Sequence, residues 1–425
     1  MRVDPRRAQP DPRVALSAGT NSAVGPARWT APSPVPVRFG AGCWQDAGAT
    51  AAGRRLLLLT TPGHVERGTA ARVAAGWGGG AECTIVAGVA AGAERAVAVR
   101  LARACAGSGY DGIVALGGGS VIDVAKVLAA ALAGGRATAR ASSGPAVDGG
   151  DVEAWLDGRA ALPAGEFLPV HTVPTTAGSG SEVTPFATIW DTAAKRKLSL
   201  ADARLAPRTA WLDPELTAGL PREAATAGGL DALSQALESI WNVHAQPASL
   251  AWATAGLRQA LAVLPRLAAE AEPAADTRAG LMIASLCGGT AIAATRTALA
   301  HSISYPLTAH HGLAHGVACS FTLPALLDFN LAVDDGRIAA AARAAGCAST
   351  AELRARIVAL LEAFGVDALL RRHGIGAAAI ARVADEMLHP GRADNNLRPA
   401  TPADVRTILA AAATDLPALR EGGDV

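Results

Sequence analysis

A change of texture near residue 220 constrains this chain more than any other feature. Before it, short apolar runs alternate with helix-like stretches. After it, the sequence is long, alanine-rich and helix-periodic, with almost no strand-like runs. Arg55 to Thr60 reads RLLLLT, a continuous apolar run of the kind that forms a strand buried on both faces. Gly112 to Leu116 is a second such run, followed at once by glycines and a helical pattern from Val121. Leu168 to Val173 is a third, ending in a turn at Pro174. Strands alternating with helices predict βαβ units and a parallel sheet covered by helices. The predicted fold class is therefore an α/β N-terminal domain with a parallel sheet, followed by an all-α C-terminal domain. The boundary falls between 215 and 225, around Asp213-Pro214-Glu215-Leu216 and Pro221.

A chain of 425 residues suits two domains, expected over 36–220 and 221–425. Residues 1–35, rich in Pro, Arg, Ser and Ala, are expected to be a poorly ordered extension. That segment has arginines but no apolar core, so it is not expected to act as a secretory signal. The net charge of +1 gives no reason to expect a nucleic-acid or acidic-membrane partner. No apolar run reaches membrane-spanning length free of Gly, Pro or charge. The six cysteines lack CxxC spacing and read as reduced thiols of an intracellular, cytoplasmic protein.

Two loops carry the candidate ligand chemistry of the first half. Gly117-Gly118-Gly119-Ser120 follows a buried strand and opens a helix, so its backbone can pass close to a phosphate at a helix N-terminus. A plain glycine-rich turn capped by Ser120 is the other reading. Pro174-Thr175-Thr176-Ala177-Gly178-Ser179-Gly180-Ser181-Glu182 follows another strand and can hold ribose and phosphate oxygens. A solvated loop is its alternative. Only three residues are lysine: Lys126, Lys195 and Lys197. A sequence so biased toward arginine can keep lysine where a compact ammonium is needed, which favours a function for Lys126 and Lys197. Lys197 lies close enough to reach a ligand in the hydroxyl loop.

In the second half, Asp231 and Gln235 stand one helical turn apart and so share a face. His301 and His315 further on can close a four-point cage; a solvated helix face and a polar loop are the structural alternative. Arg296, between Thr295 and Thr297, can clamp an anionic head group through forked hydrogen bonds or form an ordinary surface ion pair.

The segments GGGSVIDVAK, PTTAGSGSEVT, DPELTAGLP, GLDALSQALES and LAHSISYPLTAHHGLAHGVACSFTLP occur in this order. Together they resemble the iron-containing, group III alcohol dehydrogenases over residues 36 to 420. The resemblance implies a dehydroquinate synthase-like fold, with a dinucleotide-binding first domain and a metal-binding second one. It also implies a homodimer, a nicotinamide dinucleotide held by the first two motifs, and one divalent metal, Fe²⁺ or Zn²⁺, between the domains. Carried onto this sequence, the dinucleotide-binding residues are Thr61, Gly118, Gly119, Ser120, Asp123, Thr175, Thr176, Ser179, Ser181 and Lys197. Asp231, His301 and His315 match metal ligands, and Gln235, standing where the family usually has a histidine, is expected as the fourth ligand through its carbonyl oxygen, a weaker donor than imidazole. Tyr305 occupies the place of a proton-relaying histidine, for which His310 or water can substitute. After the strand Leu56 to Leu59, Thr60-Thr61-Pro62-Gly63 carries no carboxylate against a 2′-phosphate, so NADP(H) is admissible beside NAD(H).

Gln235, Arg296 and the HSISYPLTAH segment are most similar to the phosphonoacetaldehyde-reducing branch of this family. The expected reaction is metal-assisted hydride transfer that turns an aldehyde, phosphonoacetaldehyde, into its primary alcohol, with Arg296 fixing the phosphonate. Two other readings stand beside it: the same chemistry on a neutral short-chain alcohol or a carboxylated aldehyde, and a non-catalytic dinucleotide-binding protein. A lyase of the dehydroquinate synthase type would need a site richer in lysine and arginine.

Overall fold

The computed structural model describes residues 35–48, 54–77, 82–90, 92–140 and 149–420. The extension expected over 1–35 therefore lies, Val35 excepted, outside the described residues. The strands are β1 (Val37–Phe39), β2 (Arg55–Thr60), β3 (Glu82–Ala87), β4 (Gly112–Gly117), β5 (Val170–Pro174), β6 (Phe186–Asp191), β7 (Arg196–Ala201) and β8 (Thr209–Leu212). Six of them form one sheet in the order β1-β8-β5-β4-β2-β3, and β6 and β7 pair separately. Every pairing in the larger sheet is parallel, whereas β6–β7 is an antiparallel hairpin. The third strand begins at Val170 rather than at Leu168. The Leu168 amide donates to the Ala129 carbonyl of a covering helix (3.1 Å), which keeps it off the ladder.

Among the described residues of this half the α-helices are α1 (Pro62–Glu66), α2 (Thr69–Trp77), α3 (Arg95–Cys105), α4 (Gly119–Arg140) and α5 (Gly149–Leu156). The run RLLLLT is buried on both faces. Leu56 and Leu58 join Val73 and Trp77 on one side, and Leu57 and Leu59 join Leu101 and Ile122 on the other. From the middle of the sheet the chain leaves β2 toward one edge and β4 toward the opposite one. Such a switch point, at the carboxyl ends of the strands, is where open α/β sheets bind ligands. Thr61 and the Gly117–Ser120 loop stand there.

The second half comprises α6 (Arg222–Ile240), α7 (Pro247–Ala269), α8 (Ala275–Thr295), α9 (Leu299–His311) and α10 (His315–Ser320), then further helices between Leu323 and Asp415. By length and composition α8 could cross a membrane, but most of it is buried among its neighbours. The two halves share a core, because Val37, Phe39, Ala210 and Leu212 of the sheet edge pack with the helices.

Glycines set how closely the halves approach. A Cβ on Gly178 would stand 2.5 Å from the Gly228 Cα in α6, and one on Gly180 would stand 2.3 Å from the Gly289 Cα in α8. Both distances are far below van der Waals contact, so backbone meets backbone only where side chains are absent. Within the second half, a Cβ on Gly316 would lie 1.8 Å from the Ala227 carbonyl oxygen, which presses α10 onto α6. Replacing Gly289 by alanine, whose Cβ would fall 2.6 Å from the Gly180 Cα, is an overpacking change. It is expected to cost about 1–3 kcal/mol in urea unfolding, and an unchanged midpoint would show that the crossing has slack.

Candidate metal and dinucleotide site

The two loops of the first half form one ledge. A Cβ on Gly118 would touch Thr176 Oγ1 at 2.8 Å, and one on Gly119 would touch Ser179 Oγ at 2.6 Å. The glycine backbone and the hydroxyl side chains thus line the same surface, as a phosphate cradle requires. Ser179 is exposed and Thr176, Ser120 and Thr61 are half-buried, leaving them open to a ligand. Ser120 Oγ accepts from the Gly92 amide at 3.0 Å. Thr175 is buried with its Oγ1 3.2 Å from His64 Nε2.

Beneath the ledge lies a knot that spacing alone did not reveal. Asp123 accepts from the Ser181 hydroxyl and from the Thr188 amide (2.9 Å). Lys126 is wholly buried and donates to Ser181 Oγ (3.1 Å), Thr184 O (3.0 Å) and Phe186 O (2.7 Å). Asp123, Ser181 and Lys126 therefore serve each other and hold the hydroxyl loop to α4. The compact ammonium of Lys126 is needed, but for structure. Lys195 is exposed beside the hairpin turn.

The donors of the second half converge between α6, α9 and α10. Asp231, His301, His315 and Cys319 each offer an atom, all within 4.8 Å of one another. His301 Nε2 stands 3.3 Å from Asp231 Oδ1. The other ring nitrogen, Nδ1, is 2.5 Å from Glu238 Oε2, and the His301 amide donates to Glu238 Oε1 at 3.1 Å. Glu238 is fully buried. It fixes Nδ1 as the protonated nitrogen, so a lone pair on Nε2 faces a carboxylate oxygen that has no hydrogen-bond partner among the described residues. Two acceptors face each other across a gap that a proton or a metal ion can fill.

Electrostatics agree with that arrangement. Burial disfavours a charged His301, yet Cys319, Glu238 and Asp231 together hold its pKa well above the usual value. Asp231 is pulled below the carboxylate range despite its burial, chiefly by His301 and His315. His315 is pushed down to about 3 by burial and by Lys197, which leaves a neutral imidazole of the form that ligates metals. Burial pushes the Cys319 thiol up. An oxygen, two imidazoles and a thiol, with a buried carboxylate behind one imidazole, suit a divalent ion such as zinc or ferrous iron.

Gln235 sits one turn below Asp231, where the sequence places it, but its amide is turned. Nε2 donates to the Gly178 carbonyl at 3.0 Å. Oε1 lies against the Gly180 and Gly288 backbone without a hydrogen-bond partner among the described residues.

Beside the donors, Tyr305 stacks on His315 with centroids 6.2 Å apart. Lys197 Nζ lies 3.9 Å from the Tyr305 ring centre, and Arg392 Nε donates to the phenol oxygen at 3.2 Å. Burial opposes ionisation of this phenol, but Lys197 and Arg392 outweigh it and hold its pKa below the usual value. His389 meets the same ring edge-on at 5.7 Å and is itself exposed. Lys197, assigned from sequence to the dinucleotide, thus stands against the metal-side pocket. Arg392 and His389 lie more than eighty residues beyond Tyr305, and no local pattern marked them.

Two expected residues do not converge. His310 pairs with the exposed Glu386 at 3.0 Å instead of facing the donors. Arg296 caps α8 with φ 61° and ψ 177°, a backbone conformation costly for any residue but glycine. Its side chain is exposed, while its carbonyl accepts from Asn242 Nδ2 (3.3 Å) and Thr295 Oγ1 (2.9 Å).

A parallel-sheet domain with a phosphate ledge, docked on helices that gather metal donors, defines a two-domain dinucleotide- and metal-binding protein. Residues 34–214 match the family model described as iron-containing alcohol dehydrogenase, and residues 225–413 match the C-terminal model of the same family. The chain belongs to the iron-containing alcohol dehydrogenase family.

Three similar proteins extend the comparison. A phosphonoacetaldehyde reductase of Streptomyces viridochromogenes is 45% identical over 226 residues, covering 53% of this chain and 55% of that protein. The chain thus spans about half the length of that relative. A 4-hydroxybutyrate dehydrogenase of Cupriavidus necator is 31% identical over 84% of this chain and 91% of that protein. Among solved structures, a sulfoacetaldehyde reductase of Bifidobacterium kashiwanohense in complex with NAD⁺ superposes with a TM-score of 0.79. It shares 26% identity and covers 91% of this chain and 99% of that one.

The Glu238–His301 contact generates a direct test. Glu238→Gln removes the charge behind the imidazole and is expected to weaken metal binding roughly 10–100-fold. Metal content after dialysis against a chelator measures this; retention equal to the parent would make Glu238 a packing residue only.

Proposed function

We propose that this chain is a metal- and nicotinamide-dependent reductase of short aldehydes with an anionic tail, and that it converts phosphonoacetaldehyde to 2-hydroxyethylphosphonate. The observation that carries this reading is the pair of cations, Lys197 and Arg392, flanking Tyr305 beside the metal donors. A neutral alcohol gains nothing from two cations, whereas a phosphonate gains charge-assisted hydrogen bonds. Three of the similar proteins bear the name of a phosphonate, a carboxylate or a sulfonate substrate, although a methanol and a choline dehydrogenase stand among the relatives too.

When bound, the divalent metal supplies Lewis acidity at the carbonyl oxygen and the reduced nicotinamide supplies the hydride. The rest is positioning by this chain's residues. Asp231, His301 and His315 hold the metal, and Glu238 orients His301. Gly118, Gly119, Ser120, Thr176 and Ser179 hold the dinucleotide phosphates, with Thr61 at the adenosine end. Lys197 and Arg392 grip the tail and so aim the aldehyde carbon toward the ledge. Tyr305 and the exposed His389 give a proton a path between the pocket and water. The strand β2 ends in Thr60 and Thr61, and Arg67 lies just beyond, its guanidinium 3.3 Å from His64. A 2′-phosphate meets no carboxylate at Thr60 or Thr61 and finds a basic side chain near, which favours NADPH over NADH.

Oxidation of NADPH and NADH with phosphonoacetaldehyde, succinic semialdehyde and propanal tests the reading. Phosphonoacetaldehyde with NADPH is expected to give the highest kcat/KM, and a preference for propanal would refute the anionic tail. Losing a charged hydrogen bond of ~1.5–3 kcal/mol predicts a KM for phosphonoacetaldehyde roughly 10- to 100-fold higher in Arg392→Ala. Arg296→Ala is expected to leave KM nearly unchanged; the reverse result would return the clamp to Arg296.

A further inference from the structure

We infer that Cys319 supplies the fourth donor of the metal centre, as a thiolate, and that Gln235 braces the hydroxyl loop without ligating. Cys319 follows His315 by one turn of α10, so the two side chains share a face. Its Sγ stands 3.7 Å from both ring nitrogens of His315. Around a tetrahedral zinc with bonds of about 2.3 Å to sulfur and about 2.1 Å to nitrogen, a sulfur and a nitrogen donor sit about 3.6 Å apart; the sulfur is at that range, but its equal distances to both nitrogens set it beside the ring, so the His315 imidazole turns to share an ion with it. The same geometry puts a nitrogen and an oxygen donor about 3.4 Å apart. The His301 Nε2 to Asp231 Oδ1 distance of 3.3 Å fits that second value.

A second observation points to the ion independently of the thiol. Asp231 is 7% exposed and its Oδ1, inside the cluster, has no hydrogen-bond partner among the described residues. The Cys319 sulfur belongs to the same cluster, within 4.8 Å of the Asp231, His301 and His315 donor atoms.

Gln235 cannot fill the same role as placed. A glutamine ligates through its carbonyl oxygen, and here Nε2 donates to the Gly178 carbonyl, which turns Oε1 to the Gly180 and Gly288 backbone. Its Oε1 packs where a Cβ on Gly288 would come within 3.2 Å, at the loop–helix crossing. The amide ties the dinucleotide loop to α6, and the donor lost at 235 is made good at 319. Exchanging an imidazole for a thiolate makes the centre softer and shifts it toward zinc. On binding, the thiol proton leaves to solvent.

X-ray absorption at the zinc edge tests this on the unaltered protein, whatever aldehyde it reduces. One sulfur scatterer at about 2.3 Å is expected; a shell of nitrogen and oxygen alone would overturn the assignment. The cobalt-substituted protein should show a thiolate-to-metal charge-transfer band in the near ultraviolet. That band should vanish in Cys319→Ser and Cys319→Asp, with Cys319→Asp still retaining metal, and should persist in Cys43→Ser and Gln235→Ala. Cys319→Ser should also weaken zinc binding by at least the roughly 10-fold typical of losing an outer partner. A band that survives in both Cys319 variants, or metal loss in Gln235→Ala with Cys319→Ser unaffected, would return the fourth position to Gln235. Failure of the phosphonoacetaldehyde assay alone would leave these spectra unchanged.

Discussion

Backbone-to-backbone contact between glycines sets how the two halves of this protein meet. Gly178 meets Gly228 and Gly180 meets Gly289, and each pair is closer than any side chain permits. The loop that carries Thr176 and Ser179 is thereby pressed onto α6, which presents both Asp231 and Gln235, and onto α8 beside it. Gly316 does the same inside the helical half, letting α10 bring His315 and Cys319 up to Asp231. A hydride must pass over a few ångströms, so a cofactor ledge and a metal cage are useful only at this separation.

Charge is distributed around that contact with different purposes. Beneath the ledge, Lys126 and Asp123 are tied to the hydroxyls, carbonyls and amide of the hydroxyl loop and the strand after it. In the pocket, Lys197 and Arg392 meet no carboxylate among the described residues and lean instead on the face and the hydroxyl of one tyrosine. Cations held on an aromatic ring keep their charge available to an incoming anion. That contrast, more than any single motif, separates scaffold from binding site here.

Much of this was legible in the sequence because it is local. RLLLLT, with alternate leucines buried on opposite faces, gave a two-sided strand, and the glycines after LeuVal-type runs marked the carboxyl edge of the sheet. Asp231, His301 and His315 were placed by motif and do meet. What stayed hidden depends on packing across distance in the chain. Glu238 looks like any helical glutamate until His301 folds over it. Arg392 and His389 reach Tyr305 from a segment with no pattern of its own. Cys319 read as one reduced thiol among six, because nothing in its spacing shows that α10 turns it toward His315. Arg296 misled for the opposite reason: its neighbourhood in sequence suggests a clamp, while its strained backbone carries the bend between α8 and α9 and leaves the side chain outside.

In the proposed reaction, one pocket between the glycine-locked ledge and the metal donors holds the anionic tail on Lys197 and Arg392. A crystal structure with NADP⁺, metal and 2-hydroxyethylphosphonate tests it most directly. Phosphonate oxygens are expected within about 3.2 Å of Lys197 Nζ and the Arg392 guanidinium, with the hydroxyl end turned to the Asp231, His301 and His315 cluster. A phosphonate seated on Arg296, or away from both cations, would contradict it.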